Sequence, residues 1–172
     1  MASLTERMVG AARLDVHTYE AVEADHTAMG QAMWVVVLSS VAAGVGSDAG
    51  FIGLIVGSLA ALVGWFVWAF VTYFIGTRLL PEPNTEADVG QLLRTTGFAA
   101  SPGILRVLGI LPGLGIIAVS IANVWMLVSM VVAVRQALDY TSTLRAVGVC
   151  LIGWFGLILI SMVLGAMTMG AL

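Results

Sequence analysis

Four stretches of this chain contain no Asp, Glu, Lys or Arg: residues 27–47, 49–77, 107–134 and 146–172, of 21, 29, 28 and 27 residues. A helix rises about 1.5 Å per residue, so about 20 apolar residues cross a hydrocarbon core about 30 Å thick. Each stretch is long enough for at least one crossing, and together they make up most of the chain. Only 10% of residues are charged and 60% are hydrophobic, with a mean hydropathy of +1.04; an ordinary soluble domain carries about 25% charged residues. The expected fold class is all-α, a polytopic helical bundle in a membrane.

Charge and cysteine content exclude other classes. Seven Arg, no Lys and a net charge of −3 leave no basic surface for nucleic acid. One cysteine, Cys150, supports neither an internal disulfide framework nor a Cys-rich metal site. Lying in an apolar run, it reads as a small buried hydrophobe.

Residues 1–29 hold seven of the seventeen charged residues and both histidines. On a wheel of about 100° per residue, Leu4, Met8, Ala11, Ala12, Tyr19, Val22 and Met29 fall on one side, and Glu6, Arg13, His17 and Glu20 on the other. An amphipathic interfacial helix is expected. Asp15 and His26 interrupt its apolar stripe, and its net negative charge repels anionic headgroups, so it should dock on the chain's own helices or on a partner. A secretory signal is disfavoured, because an acidic n-region of about 30 residues is neither short nor basic.

The remainder, residues 30–172, reads as five spans at about 31–45, 51–77, 92–111, 116–138 and 146–169. Gly46, Ser47, Asp48 and Gly50 make the first turn. Pro81-Glu82-Pro83-Asn84 then breaks the chain before a polar, helical connector over Thr85 to Arg94. The 42 residues from Gly97 to Leu138 need an internal turn. Pro112-Gly113-Leu114-Gly115 is the strongest breaker, with Ser120 to Asn123 as the alternative. With a cytoplasmic amino terminus, Arg7, Arg13, Arg78, Arg94, Arg135 and Arg145 all fall inside and Asp48 outside, which predicts a carboxyl terminus outside. The expected location is integral to a membrane.

No chemistry-bearing constellation stands out. Glu23-x-x-His26 and the reversed His17/Glu20 spacing suggest di-metal ligands, but the five spans contain no Asp or Glu, so no metal site is expected. The same absence argues against a carboxylate proton relay. No Ser-His-Asp set, H-E-x-x-H, Walker loop or dinucleotide fingerprint occurs. Glu82, Glu86 and Asp88 read as a hydrated loop, and no catalytic residue or cofactor is expected.

Arg106 is the exception. Inside the third span an arginine costs about 2.5–3.5 kcal/mol at the helix centre unless it snorkels or finds a partner. Lipid phosphate, a backbone carbonyl freed near Pro102 or Pro112, or another subunit's carboxylate would serve. Gly53-x-x-x-Gly57-x-x-x-Ala61, Gly109-x-x-x-Gly113 and Ser161-x-x-x-Gly165 are small-residue spacings that let helices approach closely. Asn123 is expected to hydrogen-bond a neighbouring helix. Trp34, Trp65, Trp68, Trp125 and Trp154 read as packing residues, with pigment or quinone contact as the less common use of such a surface.

One family pattern resembles this order of residues. Thr96-Gly97-Phe98-Ala99-Ala100-Ser101-Pro102 opens the third span, followed by Ile110-Leu111-Pro112-Gly113-Leu114-Gly115 and Val124-Trp125. Val134-Arg135-Gln136-Ala137-Leu138-Asp139-Tyr140 and Arg145-Ala146 complete it. Over residues 30–170 the chain is similar to the YIP family, Ypt/Rab-interacting membrane proteins with five transmembrane helices and a cytoplasmic amino terminus. The resemblance implies a non-enzymatic membrane adaptor; eukaryotic members are associated with Rab GTPases and vesicle traffic. This chain lacks their long amino-terminal region and an Asp-Leu-Tyr-Gly-Pro-like element, and Arg106 stands where an apolar residue is expected. A prokaryotic relative is the better match, and this implies a bacterial cytoplasmic (inner) membrane as the location.

The function expected is a non-catalytic scaffold or accessory subunit that packs against other integral membrane subunits, lipids or a second copy. The alternative is a small transporter or lipid-handling protein using the third helix, interrupted at Pro102 and Pro112, to line a path.

Overall fold

A computed structural model describes residues 2–169; the side chains of residues 160, 161 and 163–169 lie outside the description. The described residues form helices and turns. In chain order they are α1 (Leu4–Ala12), α2 (Val16–Ala24), α3 (Met29–Gly46), α4 (Gly50–Phe74), α5 (Val89–Ala99), α6 (Gly115–Ala137) and α7 (Thr143–Met169). A single 3-10 turn precedes α3, a π-turn extends α4 over Ile75–Leu79, and a 3-10 segment runs over Ser101–Ile110.

The expected amphipathic helix over residues 1–29 is divided, which corrects the sequence reading. Ser3 and Glu6 form a capping box that starts α1, and Asp15 caps α2. Between them Leu14 takes a φ of 62°, in the left-handed region that disfavours a branched side chain. The reversal is held by hydrogen bonds from the Leu14 N–H to the Ala11 carbonyl and from the Asp15 N–H to the Gly10 carbonyl, each 3.0 Å. Gly10 lets the two helices touch, since a Cβ there would lie 2.2 Å from Thr18 Oγ1. The hairpin docks on the bundle: Ala11, Tyr19 and Val22 are buried, and Leu4 and Met8 pack against the core. Trp125 Nε1 donates to the Ala12 carbonyl at 2.7 Å.

Among the described residues, three helices are long and apolar enough to cross a membrane, by length and composition: His26–Gly46, Gly50–Leu79 and Gly115–Ala137. α7 contributes a further apolar stretch over Thr143–Leu159. The stretch expected as one span over 92–111 is an α-helix followed by a 3-10 segment. α5 starts at Val89, fixed by a capping box of Asp88 and Gln91, so Val89 to Arg94 belong to this helix and not to a polar connector. The α-helix ends at Ala99, just before Pro102, whose ring cannot supply the N–H that would continue the ladder.

α5 is the central element. Every residue from Leu92 to Ala99 is buried, including Arg94, which is 3% exposed. Its guanidinium donates from Nε to the Val22 and Glu23 carbonyls at 3.1 and 3.0 Å, and from Nη2 to the Glu23 carbonyl. These carbonyls are left open by the end of α2, so the arginine caps that helix. Trp65 of α4 donates from Nε1 to the Leu93 carbonyl and Thr96 Oγ1 at 3.1 and 3.2 Å. Trp65 is buried, whereas Trp34 and Trp154 are 63% and 53% exposed in the single chain.

The loops at the α4 end are tied together. The π-turn closes with the Leu80 N–H on the Ile75 carbonyl at 2.9 Å. Tyr140 donates to the carbonyls of Gly76 and Leu80 at 2.9 and 2.7 Å. Glu82 accepts from the N–H groups of Thr141 and Ser142 and from Thr141 Oγ1, and lies 3.5 Å from Arg145 Nε.

Candidate functional site

Pro102 turns the chain from α5 into the 3-10 segment, and that segment lies between α3 and α6 because glycines permit backbone contact. A Cβ at Gly46 would lie 2.0 Å from the Arg106 carbonyl oxygen, one at Gly109 would lie 2.5 Å from the Gly46 oxygen, and one at Gly115 would lie 2.3 Å from the Gly109 oxygen. This approach brings Arg106 against the middle of α3. Its Nε donates to the Gly103 carbonyl at 3.1 Å, and Nη2 donates to the Ser39 carbonyl and Oγ at 2.9 and 2.8 Å. Nη1 makes no hydrogen bond among the described residues. No Asp or Glu occurs between Asp88 and Asp139 or in α3, α4 or α7. Among the described residues, the charge is thus held by neutral acceptors alone.

Two cavities meet at this arginine, and a third lies beside them. One of about 450 Å³ is lined by Gly46, Ser47, Arg106, Ser120 and Asn123. A second, of about 360 Å³, runs from Ser39 and Arg106 to Trp68 and Met130. A third, of about 460 Å³, lies between Asn123, Trp68, Met130 and Trp154. Asn123 therefore lines both the polar and the aromatic ends. Chemically the site offers a fixed cation and hydroxyl and amide groups at one end and a wall of tryptophan and methionine at the other. A guanidinium stays protonated and binds anions without moving a proton.

The remaining small residues play different parts. Gly57 is exposed, with Ser40 Oγ at 3.8 Å from its built Cβ, and Gly53 faces the Ala49 methyl one turn earlier in the chain. Gly113 has a φ of 79° and open space around it; it makes the turn after Pro112 that leads into α6. Gly109, by contrast, touches backbone on both sides. The Ser161/Gly165 pair lies outside the described side chains.

A second polar cleft, of about 450 Å³, lies at the α2 end between Glu20, Glu23, Arg135, Gln136, Asp139 and Tyr140. Burial, then the charge of Asp139, raise the Glu23 carboxyl to about 7 against the opposing pull of Arg94. Gln91 Nε2 donates to Glu23 at 3.0 Å. Burial and then Glu86 raise Asp139, and burial pushes the Tyr140 hydroxyl up to about 12. Asp25 is held down at about 2 by hydrogen bonds from Thr27 and then Arg7. Arg7 is buried, with Nη2 2.5 Å from Asp25 and Nη1 3.1 Å from Gln31. No cluster of three or more His, Cys, Asp or Glu able to hold a metal occurs among the described residues.

The burial of Arg7 and Arg94 escaped the sequence reading, which placed both with the cytoplasmic arginines. The available signal for Arg94 was its position on a helix whose capping box begins at Asp88, with Leu92, Leu93 and Phe98 around it.

Apolar helices of spanning length in an all-helical fold define a polytopic membrane protein. A family model, Yip1 domain, matches residues 17–166. The chain belongs to the Yip1 domain family. It matches no curated protein and no solved structure.

Proposed function

We propose that this protein is a non-catalytic membrane scaffold or accessory subunit with five crossings, an amino terminus in the cytoplasm and a carboxyl terminus outside, in a bacterial cytoplasmic membrane. The third crossing is α5 with the 3-10 segment, whose far end meets Gly46 at the end of α3.

The observation that carries the reading is the outer face of α4. Ile52, Ile55, Val56, Leu59, Val63, Phe66 and Phe70 are all exposed, and their spacing of three and four residues puts them on one stripe along the whole helix. Only Trp65, Ala69 and Thr72 of α4 are buried. Such a stripe meets lipid or a neighbouring helix, and a 25-residue helix that turns so long a face away from its own bundle presents a broad surface to a partner.

The test is co-purification from native membranes in mild detergent, read by native mass and by identification of every co-eluting chain. A stoichiometric integral membrane partner is expected. A lone monomer, with all neighbours lost in the mildest detergent, would overturn the reading. Deleting residues 1–25 is not a clean probe of partners, because it uncovers the core that Tyr19 and Val22 cover.

A second reading, transport or lipid handling, is supported by the interrupted helix at Pro102 and the cavities beside Arg106. Liposomes that show no flux of ions, solutes or labelled lipid would remove it.

A further inference from the structure

We infer that the cleft beside Arg106 is a binding site for a phospholipid with an anionic headgroup, its phosphate at Arg106 and one acyl chain between Trp68 and Trp154. The inference rests on the bundle lying in a bilayer and not on the scaffold role.

Charge complementarity selects the headgroup. Arg106 carries a full positive charge in a region without acids, its Nη1 unused among the described residues, and Ser39, Ser120 and Asn123 add neutral groups near it. A half-buried guanidinium held by neutral acceptors gains from an anion brought to its open side. Ser39 lies seven residues before the end of α3, about 10 Å in from that end at 1.5 Å per residue. That depth is within reach of a phosphate drawn inward from the interface, and the vestibule of about 450 Å³ that includes Gly46 and Ser47 provides the path.

The shape of the remaining space selects the tail. The aromatic cavity of about 460 Å³ shares Asn123 with the vestibule and Trp68, Met126, Met130 and Trp154 with the cavity that reaches Arg106, and its rim residues Leu127 and Trp154 are 54% and 53% exposed, so it opens sideways between α6 and α7. Its size is in the range of about 300–1,000 Å³ that encloses small ligands. A helix about 10–12 Å across does not enter such a space, whereas a single acyl chain does.

The test uses the whole protein reconstituted in phosphatidylcholine vesicles containing a few mole percent of brominated lipid, because bromine quenches tryptophan on contact. Brominated phosphatidylglycerol is expected to quench more steeply than brominated phosphatidylcholine at equal mole fraction, with about a tenfold difference in half-effective fraction, because both offer Arg106 a phosphate but only phosphatidylglycerol brings a net negative charge to it. The difference should vanish in Arg106→Gln and in Ser120→Phe, which fills the exposed rim of the vestibule and keeps the arginine in the chain. Added inorganic phosphate should leave the wild-type difference intact.

Equal quenching by the two lipids in the wild-type protein would overturn the proposal without any variant having to fold. So would an unchanged difference in both variants. Loss of the difference on adding phosphate would assign the site to the free anion and overturn the lipid. Partner co-purification is read independently of quenching, so a missing partner and a missing lipid preference are separate results.

Discussion

Gly46→Ala tests the backbone contact that positions Arg106. The added Cβ lies 2.0 Å from the Arg106 carbonyl oxygen, against an ordinary carbon–oxygen approach of about 3.3 Å. The 3-10 segment must move outward by more than about 1 Å, and Gly109 cannot yield without losing its own contact on the Gly46 backbone. Overpacking of this kind costs about 1–3 kcal/mol, and in a chain of this size each kcal/mol shifts the melting temperature by about 2–4 °C. A fall of about 2–12 °C is therefore expected in detergent-solubilised protein followed by tryptophan fluorescence. Gly57→Ala is the control: its new methyl meets only Ser40 Oγ, at 3.8 Å, and replacing an exposed helical glycine by alanine gains up to about 1 kcal/mol. If Gly46→Ala melts with or above Gly57→Ala, the close approach of α3 and the 3-10 segment is not as described.

Two further outcomes concern the amino-terminal hairpin. Arg94→Met leaves the Val22 and Glu23 carbonyls without their donor, at a cost of about 1.5–3 kcal/mol; limited trypsin cleavage after Arg13 should accelerate, and an unchanged rate would mean that the cap does not hold the hairpin. Because burial raises Glu23 to about 7 from 4.5, the folded state binds more protons than the unfolded one between those values, so this group's contribution to stability falls as pH rises through that window. Glu23→Gln should flatten the difference in melting temperature between pH 5 and pH 8 and melt above wild type at pH 8; an unaltered pH profile would remove Glu23 as its source.

The long apolar elements were legible because a run without charge is a direct length measurement. α4 and α6 lie where the runs placed them, and the turn falls at Pro112–Leu114 because proline and a glycine with positive φ leave the chain little else to do there. The break at Leu14 was not legible: no glycine or proline marks it, and the left-handed leucine is imposed by hydrogen bonds to Gly10 and Ala11 and by the packing of α1 on α2. Nor did the sequence show that Pro102 would begin a 3-10 segment, which depends on glycines at 46, 109 and 115 meeting in space. Arg106 was conspicuous as a charge among apolar residues, but its acceptor on Ser39, 67 positions away, is a product of the fold. Tyr140 was likewise invisible as the group that satisfies the carbonyls of the π-turn.

Photo-crosslinking from the outer stripe of α4 tests the scaffold reading most directly. A photoreactive amino acid in place of Leu59 or Phe66, 60% and 47% exposed, should give discrete protein adducts in native membranes, while the same group at Glu86 in the polar loop should not give them. Adducts with lipid alone at both α4 positions would contradict a scaffold that packs against other membrane proteins.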